Sequence, residues 1–294
     1  MALLPPVWLD AVVAIGAERE AGTVAWIGTG FLYGAYIKAS PPPEKWYHVF
    51  LITSRHVLEG EQKLQIKFNS AVRSGSQDFS VPLRDRSGRR LWTVHSDSAV
   101  DLAAVFIDGN YIRSKNMRFA FFKDDEDALT VGGLKSEGVT EGDGVFVLGY
   151  PMALVQPKWQ AAICRKGCVA RIQDVLVAGT GEFLVDATVF PGNSGSPVIL
   201  RPEATAIPGT KTASAARVIG VVCAYLPYQD VAVSQQTQMP RITFDENSGL
   251  TSVIPMDRVN ELMTTARRHL KARIAVARWR ARRHVSSRSA RTRS

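Results

Sequence analysis

Between Trp8 and Val259, apolar residues fall in short Val/Ile/Phe/Leu-rich segments separated by clusters of Gly, Pro, Asp and Ser. This pattern predicts many strands and turns, not long helices. The predicted strands are Ala11 to Ala17, Trp26 to Ile37, Tyr47 to Thr53, Lys63 to Phe68, Leu102 to Ile107, Gly144 to Leu148, Cys168 to Ile172, Phe183 to Thr188, Pro197 to Leu200, Val218 to Ala224 and Ser252 to Pro255. Such a series suits an all-β body, a barrel or a sandwich. Three stretches read as surface loops or insertions: the proline-rich Ser40 to Lys45, Arg201 to Ala216, and Tyr228 to Gly249. The acidic run Asp124 to Asp127 reads as a solvated connection between two halves, because it lacks the alternating oxygen ligands and turn glycine of a calcium loop. After Pro255 the period changes. Val259, Leu262, Met263, Ala266, Leu270, Ile274 and Ala277 recur at three and four residues, which predicts a helix with one apolar face. From Arg278 onward Arg and Ser dominate, and disorder is expected.

Composition narrows the picture. The chain has 294 residues, 46% hydrophobic and 21% charged, enough to bury a core and unlike collagen or a wholly disordered chain. No apolar run approaches the roughly 18 to 20 residues that span a bilayer, and Met1 to Asp10 has no basic stretch, so a soluble protein without a signal peptide is expected. Of the three cysteines, Cys164 and Cys168 would lie about 13 Å apart on one strand at roughly 3.3 Å per residue, too far for a disulfide. A reducing cytoplasm is the simplest compartment. The net charge of +9 is not spread evenly, since Thr265 to Ser294 holds eleven Lys and Arg and no acid, which leaves −2 for residues 1–264. Any attraction to nucleic acid or an anionic membrane belongs to the tail, where Trp279 lies between Arg278 and Arg280.

The segment Phe190-Pro191-Gly192-Asn193-Ser194-Gly195-Ser196-Pro197-Val198 carries the strongest chemical signal. Glycines on both sides of Ser194 permit a tight turn that exposes its hydroxyl and aims amide N–H groups at one point, as an acyl-transfer oxyanion requires. Taken alone, Gly-Asn-Ser-Gly is also an ordinary turn. Serine needs a base to accept its proton. Among five histidines, His269 and His284 lie in the tail and His48 and His95 border apolar segments, whereas His56 stands just past the buried run Val49 to Thr53. A carboxylate to orient that base is offered by Asp101, ahead of the apolar Leu102 to Ile107. Asp97 and Asp108 compete with it, although both sit in segments that read as turns.

Five segments in order, Gly28-Thr29-Gly30-Phe31, Ile52-Thr53-Ser54-Arg55-His56-Val57, Asp101-Leu102-Ala103-Ala104-Val105, Leu148-Gly149-Tyr150-Pro151 and Gly192-Asn193-Ser194-Gly195, resemble trypsin-like serine peptidases. The likeness is nearest to the protease domain of the high-temperature-requirement type and extends from about Val12 to Val259. The resemblance implies two six-stranded antiparallel β-barrels of the chymotrypsin type over 1–256, with a boundary near 123–142, followed by the C-terminal helix and basic tail over 257–294. It implies a serine endopeptidase acting on proteins or peptides without metal or organic cofactor. His56 and Asp101 would come from the first barrel and Ser194 from the second, with the N–H groups of Gly192 and Ser194 as oxyanion hole. Thr188 would sit at the base of the primary pocket, with Val222, Cys223 and Ala224 on its wall, favouring small or medium apolar side chains. Two departures stand out: Ser196 occupies the place of a usual second glycine, and Asn193 replaces the acid that pairs with a freed N-terminus in digestive enzymes. Two rival readings are a catalytically silent binding module of the same fold and a scaffold for a nucleic-acid- or membrane-binding tail.

Overall fold

The computed structural model describes residues 3–37, 45–179, 181–203, 209, 211, 213 and 215–291, with side chains of the last helix described to Val276. The N-terminal half contains β1 (Val12–Glu18), β2 (Val24–Ile37), β3 (Trp46–Thr53), helix α1 (Arg55–Leu58), β4 (Lys63–Asn69), β5 (Ser76–Pro82), β6 (Trp92–Val94), β7 (Ala103–Phe106), helix α2 (Gly109–Ser114) and β8 (Phe122–Lys123). The C-terminal half contains helix α3 (Val131–Glu137), β9 (Gly144–Gly149), β10 (Ile163–Arg171), helix α4 (Gln173–Ala178), β11 (Phe183–Asp186), β12 (Pro197–Leu200), β13 (Arg217–Val233) and β14 (Pro240–Pro255). Helix α5 (Met256–Arg291) closes the chain.

The second half is a closed antiparallel barrel in the order β10-β11-β14-β13-β12-β9, sealed by pairing of β9 with β10. The first half departs from the expected closed six-stranded barrel. It is an eight-stranded sheet in which β5-β4-β1-β2-β3-β7-β6 form one path and β8 pairs with β2 in parallel. The end strands share no ladder. Residues 83–91 join them, but their backbone groups are spent on a turn around Asp85, whose N–H donates to Arg89 O at 2.9 Å and whose carbonyl accepts from Gly88 N–H at 2.9 Å. Only one Leu91 N–H to Leu83 O bond, at 2.8 Å, and a bridge between Arg84 and Arg90 link the ends.

Three apolar clusters follow from this architecture. One fills the first sheet, around Leu32, Leu51, Leu64, Ile66 and Phe68. Another fills the barrel, around Val147, Val185, Val198, Ile219 and Val253. The third lies between the halves, where Phe31, Tyr33 and Phe122 meet Leu148, Tyr150, Ile199 and Val221. Helix α5 belongs to this shared core through Val259, Leu262, Met263, Ala266 and Leu270 of the face its spacing predicts, whereas Ile274 on that face is exposed and the Ala277 side chain lies outside the described residues.

Elsewhere the chain departs from its sequence pattern. Tyr228 to Gly249 is not a loop: β13 and β14 continue as a ribbon, paired from Pro227 opposite Asn247 to Val233 opposite Pro240. Its Val, Ile, Thr and Phe residues suit a strand, yet Tyr228, Ile242 and Phe244 remain exposed. Strand β10 begins at Ile163, and β5 and β6 were not signalled by apolar runs. The backbone of α5 continues to Arg291, past the start of the expected disorder, in keeping with the good helix propensity of Ala and Arg. Of the eleven basic side chains in the tail, Arg267, Arg268, Lys271 and Arg273 are described, and the seven from Arg278 onward lie outside the described residues, as do Trp279, Ser40 to Glu44 and half of Arg201 to Ala216. The acidic run pins the connection: Asp125 and Glu126 pair with Lys45 at 2.6 Å each, and Asp124 accepts the Tyr36 N–H at 2.9 Å. No metal-holding cluster occurs among the described residues, and no described helix is long and apolar enough to cross a membrane.

Candidate active site

Strand β3 is apolar and buried up to Thr53, and the chain then turns at once into α1, so His56 is held at a rigid strand end while its ring stays half exposed. Asp101 stands two residues ahead of β7, the neighbour of β3 in the sheet. The two side chains meet, His56 Nδ1 lying 2.5 Å from Asp101 Oδ2. The other carboxylate oxygen accepts the His56 backbone N–H at 3.1 Å, so one acid fixes both the ring and the turn that carries it. Arg55 Nε lies 3.8 Å from Asp101 Oδ1. The hydrogen bond that His56 donates to Asp101 raises the His56 pKa above its ordinary value, against the opposing effect of partial burial. Burial would raise Asp101, but the hydrogen bonds and charge of His56, with Arg55 behind them, hold it below the usual carboxylate range.

The competing acids are occupied elsewhere. Asp97 Oδ1 accepts the Ala99 N–H at 2.9 Å in its turn, and Asp108 caps α2 by accepting from Asn110 and Tyr111 at 3.1 Å each. The other described histidines join elements together. His95 is buried with Nε2 3.0 Å from Glu261 of α5, His269 contacts Thr93 at 3.1 Å, and His48 packs on Phe106.

Ser194 is half-buried in the loop ahead of β12. Phe190 to Asn193 form a turn closed by an Asn193 N–H to Phe190 O bond of 3.0 Å, with Pro191 second and Gly192 third at φ 100°. Proline followed by a positive-φ glycine is the type II arrangement. Only glycine fits there, since a Cβ at position 192 would overlap the carbonyl oxygen of Tyr150. The Pro191 carbonyl is held by Met152 N–H at 2.6 Å, and both Met152 and Ala153 adopt the left-handed conformation, at φ 54° and 55°. The N–H groups of Asn193, Gly195 and Ser196 are spent on Phe190 O, Val222 O and Asn193 O. Those of Gly192 and Ser194 donate to no protein acceptor among the described residues. Two unspent amides flanking a serine hydroxyl are the donors an oxyanion would use.

Thr29, on β2 of the opposite half, ties this loop down. Its hydroxyl donates to Gly192 O at 2.6 Å and accepts the Tyr150 N–H at 2.9 Å, while its own N–H donates to Ser194 O at 3.1 Å. Thr53 Oγ1, three residues ahead of His56, donates to Thr29 O at 2.7 Å. Gly195 fits against this pair at φ 85°, and a Cβ there would overlap Thr29 O and Thr53 Oγ1. The serine loop is thereby docked on the strand end that carries His56. No hydrogen bond joins Ser194 Oγ to His56 Nε2 among the described residues, a contact that tightens in many enzymes only with substrate bound. Ser196 is fully buried, its hydroxyl turned to Asn193 Oδ1 at 3.5 Å, which removes it from competition as a nucleophile.

Around the expected pocket, Thr188 is half-buried in a segment pinned by β14. Ala187 N–H donates to Gly249 O at 3.1 Å, and Asn247 Nδ2 donates to Val189 O at 2.6 Å. A Cβ on Gly249 would lie 3.9 Å from Thr188 Oγ1 and 3.8 Å from Asp186 Oδ1, so Gly249 and the Asp186 carboxylate border the same place. Val222 turns its side chain into the barrel core, leaving its backbone and the exposed Ala224 at the surface. Burial, with the nearby Glu182 and Asp101 carboxylates, pushes the Cys223 thiol up to about 12, which keeps it protonated and unreactive. No role was assigned from the sequence to Thr29, Thr53, Met152, Gly249 or Asp186, although Thr29 and Thr53 lie in segments that carry the resemblance. Glycine at 249 and the Gly-Thr-Gly of β2 were the available signals.

A family model described as trypsin-like peptidase domain matches residues 28–204, and the chain belongs to that family. A search of curated proteins returns no match.

The contact with Asp101 should be measurable directly. Proton-detected titration should place the His56 pKa above the ordinary 6.5, and Asp101→Asn should lower it. A wild-type value at or below 6.5 would contradict the pairing.

Proposed function

We propose that the protein is a serine endopeptidase acting through His56, Asp101 and Ser194. Ser194 Oγ attacks the scissile carbonyl carbon as His56 Nε2 takes its proton, and the carbonyl electron pair moves to oxygen. The N–H groups of Gly192 and Ser194 stabilise that oxyanion. Collapse of the adduct breaks the C–N bond, His56 delivers the proton to the leaving amine, and water then releases the acyl group by the same steps. Asp101 keeps Nδ1 protonated and steadies the imidazolium. The reading rests above all on one observation, the 2.5 Å His56–Asp101 contact in a molecule whose docked serine loop leaves two amides unspent.

Neutral His56 is the working form, so kcat/KM should rise with pH through the raised histidine pKa. Replacing His56 or Ser194 with Ala should lower kcat by at least about 10³-fold, and Asp101→Asn by on the order of 10⁴-fold, with the thermal midpoint little changed. Asp97→Asn should stay within a few fold of wild type. A severe loss in Asp97→Asn alongside an active Asp101→Asn would overturn the assignment of the acid.

Specificity follows from Thr188, which offers no charge to a basic side chain. Cleavage of a peptide library should therefore favour small or medium apolar residues before the scissile bond. Dominant cleavage after Lys or Arg would refute this and would assign recognition to the Asp186 carboxylate beside Gly249.

A further inference from the structure

Helix α5 does not lie flat on the first sheet. Between it and the β6–β7 edge is a cavity of about 680 Å³, away from the Ser194 loop and within the roughly 300 to 1,000 Å³ typical of small-molecule sites. Its apolar lining includes Phe50, Phe106, Leu270 and Val276. The α5 wall runs from Ala266 to Val276, about 15 Å at 1.5 Å per residue, so the space is elongated along the helix.

The charged groups around it are almost all cationic. Asp85 is the single acidic lining residue and is already satisfied, accepting from Arg89 Nε at 2.9 Å and from Ser87 Oγ at 2.6 Å. Arg90 stacks its guanidinium over Trp92 at 4.9 Å and has no carboxylate partner among the described residues. Arg273 donates one N–H to Leu91 O at 3.1 Å and likewise has no described carboxylate partner, which leaves the rest of its fork open. Arg267 and Lys271 of the same helix are cationic as well: burial lowers the His48 pKa and their charges add to that lowering.

An apolar trough lined also by two guanidinium groups without a carboxylate partner among the described residues is complementary to a ligand with a long hydrocarbon part and one negative end. A nucleic acid would satisfy the cations but bring nothing for the floor. We propose that this groove binds a single-chain amphiphilic anion, an acyl chain carrying one carboxylate. The chain lies along α5 on Phe50, Phe106 and Leu270, and the carboxylate pairs with Arg90 and Arg273.

The test is calorimetric titration of the full chain with decanoate and with decanol, which keeps the hydrocarbon and removes the charge. Decanoate should bind at least tenfold more tightly than decanol. Exchanging both Arg90 and Arg273 for Ala should remove that preference and leave decanol binding within about twofold. Ala272→Trp, at an exposed helix position lining the groove, should weaken both ligands at least tenfold without lowering the thermal midpoint. Equal binding of decanoate and decanol, or decanoate binding unchanged in the double arginine variant, would overturn the proposal. Sedimentation with anionic phospholipid vesicles separates the other source of such chemistry: vesicle binding blocked by Ala272→Trp, with no binding of free decanoate, would assign the groove to membrane lipid and overturn it equally.

Discussion

The proposed site depends on one buried hydroxyl. Thr29 belongs to the first sheet, and the carbonyl and amide it joins, Gly192 O and Tyr150 N–H, belong to the barrel. Both bonds cross the boundary between halves, where water is excluded and an unpaired polar group costs about 1 to 3 kcal/mol. With Thr53 donating to Thr29 from behind, short hydrogen bonds run from the strand end three residues ahead of His56 to the Gly192 turn. The close approach this requires explains the glycines. Side chains at 192 and 195 would strike Tyr150 O and Thr29 O, so the motif is as much about packing two halves together as about exposing a serine.

Met152 completes the arrangement from the other side. By holding the Pro191 carbonyl, it fixes the direction of the 191–192 peptide, whose Gly192 N–H has no acceptor among the described residues. Two consecutive left-handed residues, Met152 and Ala153, are an uncommon feature of the backbone, and the strain sits next to the turn it controls. The second half of the junction is apolar. Helix α5 returns across both halves through Leu262 and Leu270, and Tyr33 on β2 donates to Asn260 Oδ1 at 3.2 Å, so the helix clamps the cleft from behind.

Much of this was legible in the sequence, for reasons that separate the readable from the unreadable. Strands with continuous apolar runs, such as β3 and β9, announce themselves because both faces are buried. Strand β5 is largely exposed at a sheet edge and gives no such signal, and the outer ribbon of β13 and β14 carries enough polar residues to resemble a loop. A closed N-terminal barrel was what the resemblance implied, and a resemblance carried by short motifs does not reveal how residues 83–91 spend their hydrogen bonds. His56, Asp101 and Ser194 stood out through local context. Thr29 did not, because its role lies in bonds to residues more than a hundred positions away, and threonine inside a strand carries no mark of them.

The most direct measurement is the rate and site of labelling by a fluorophosphonate, read by mass spectrometry on the full chain, for wild type, Ser194→Ala and Thr29→Val. The account predicts a single adduct on Ser194, none in Ser194→Ala, and labelling slowed on the order of tenfold to a hundredfold in Thr29→Val, since each 1.4 kcal/mol corresponds to tenfold in rate. An adduct on another residue, labelling that survives in Ser194→Ala, or an unchanged rate in Thr29→Val would contradict it.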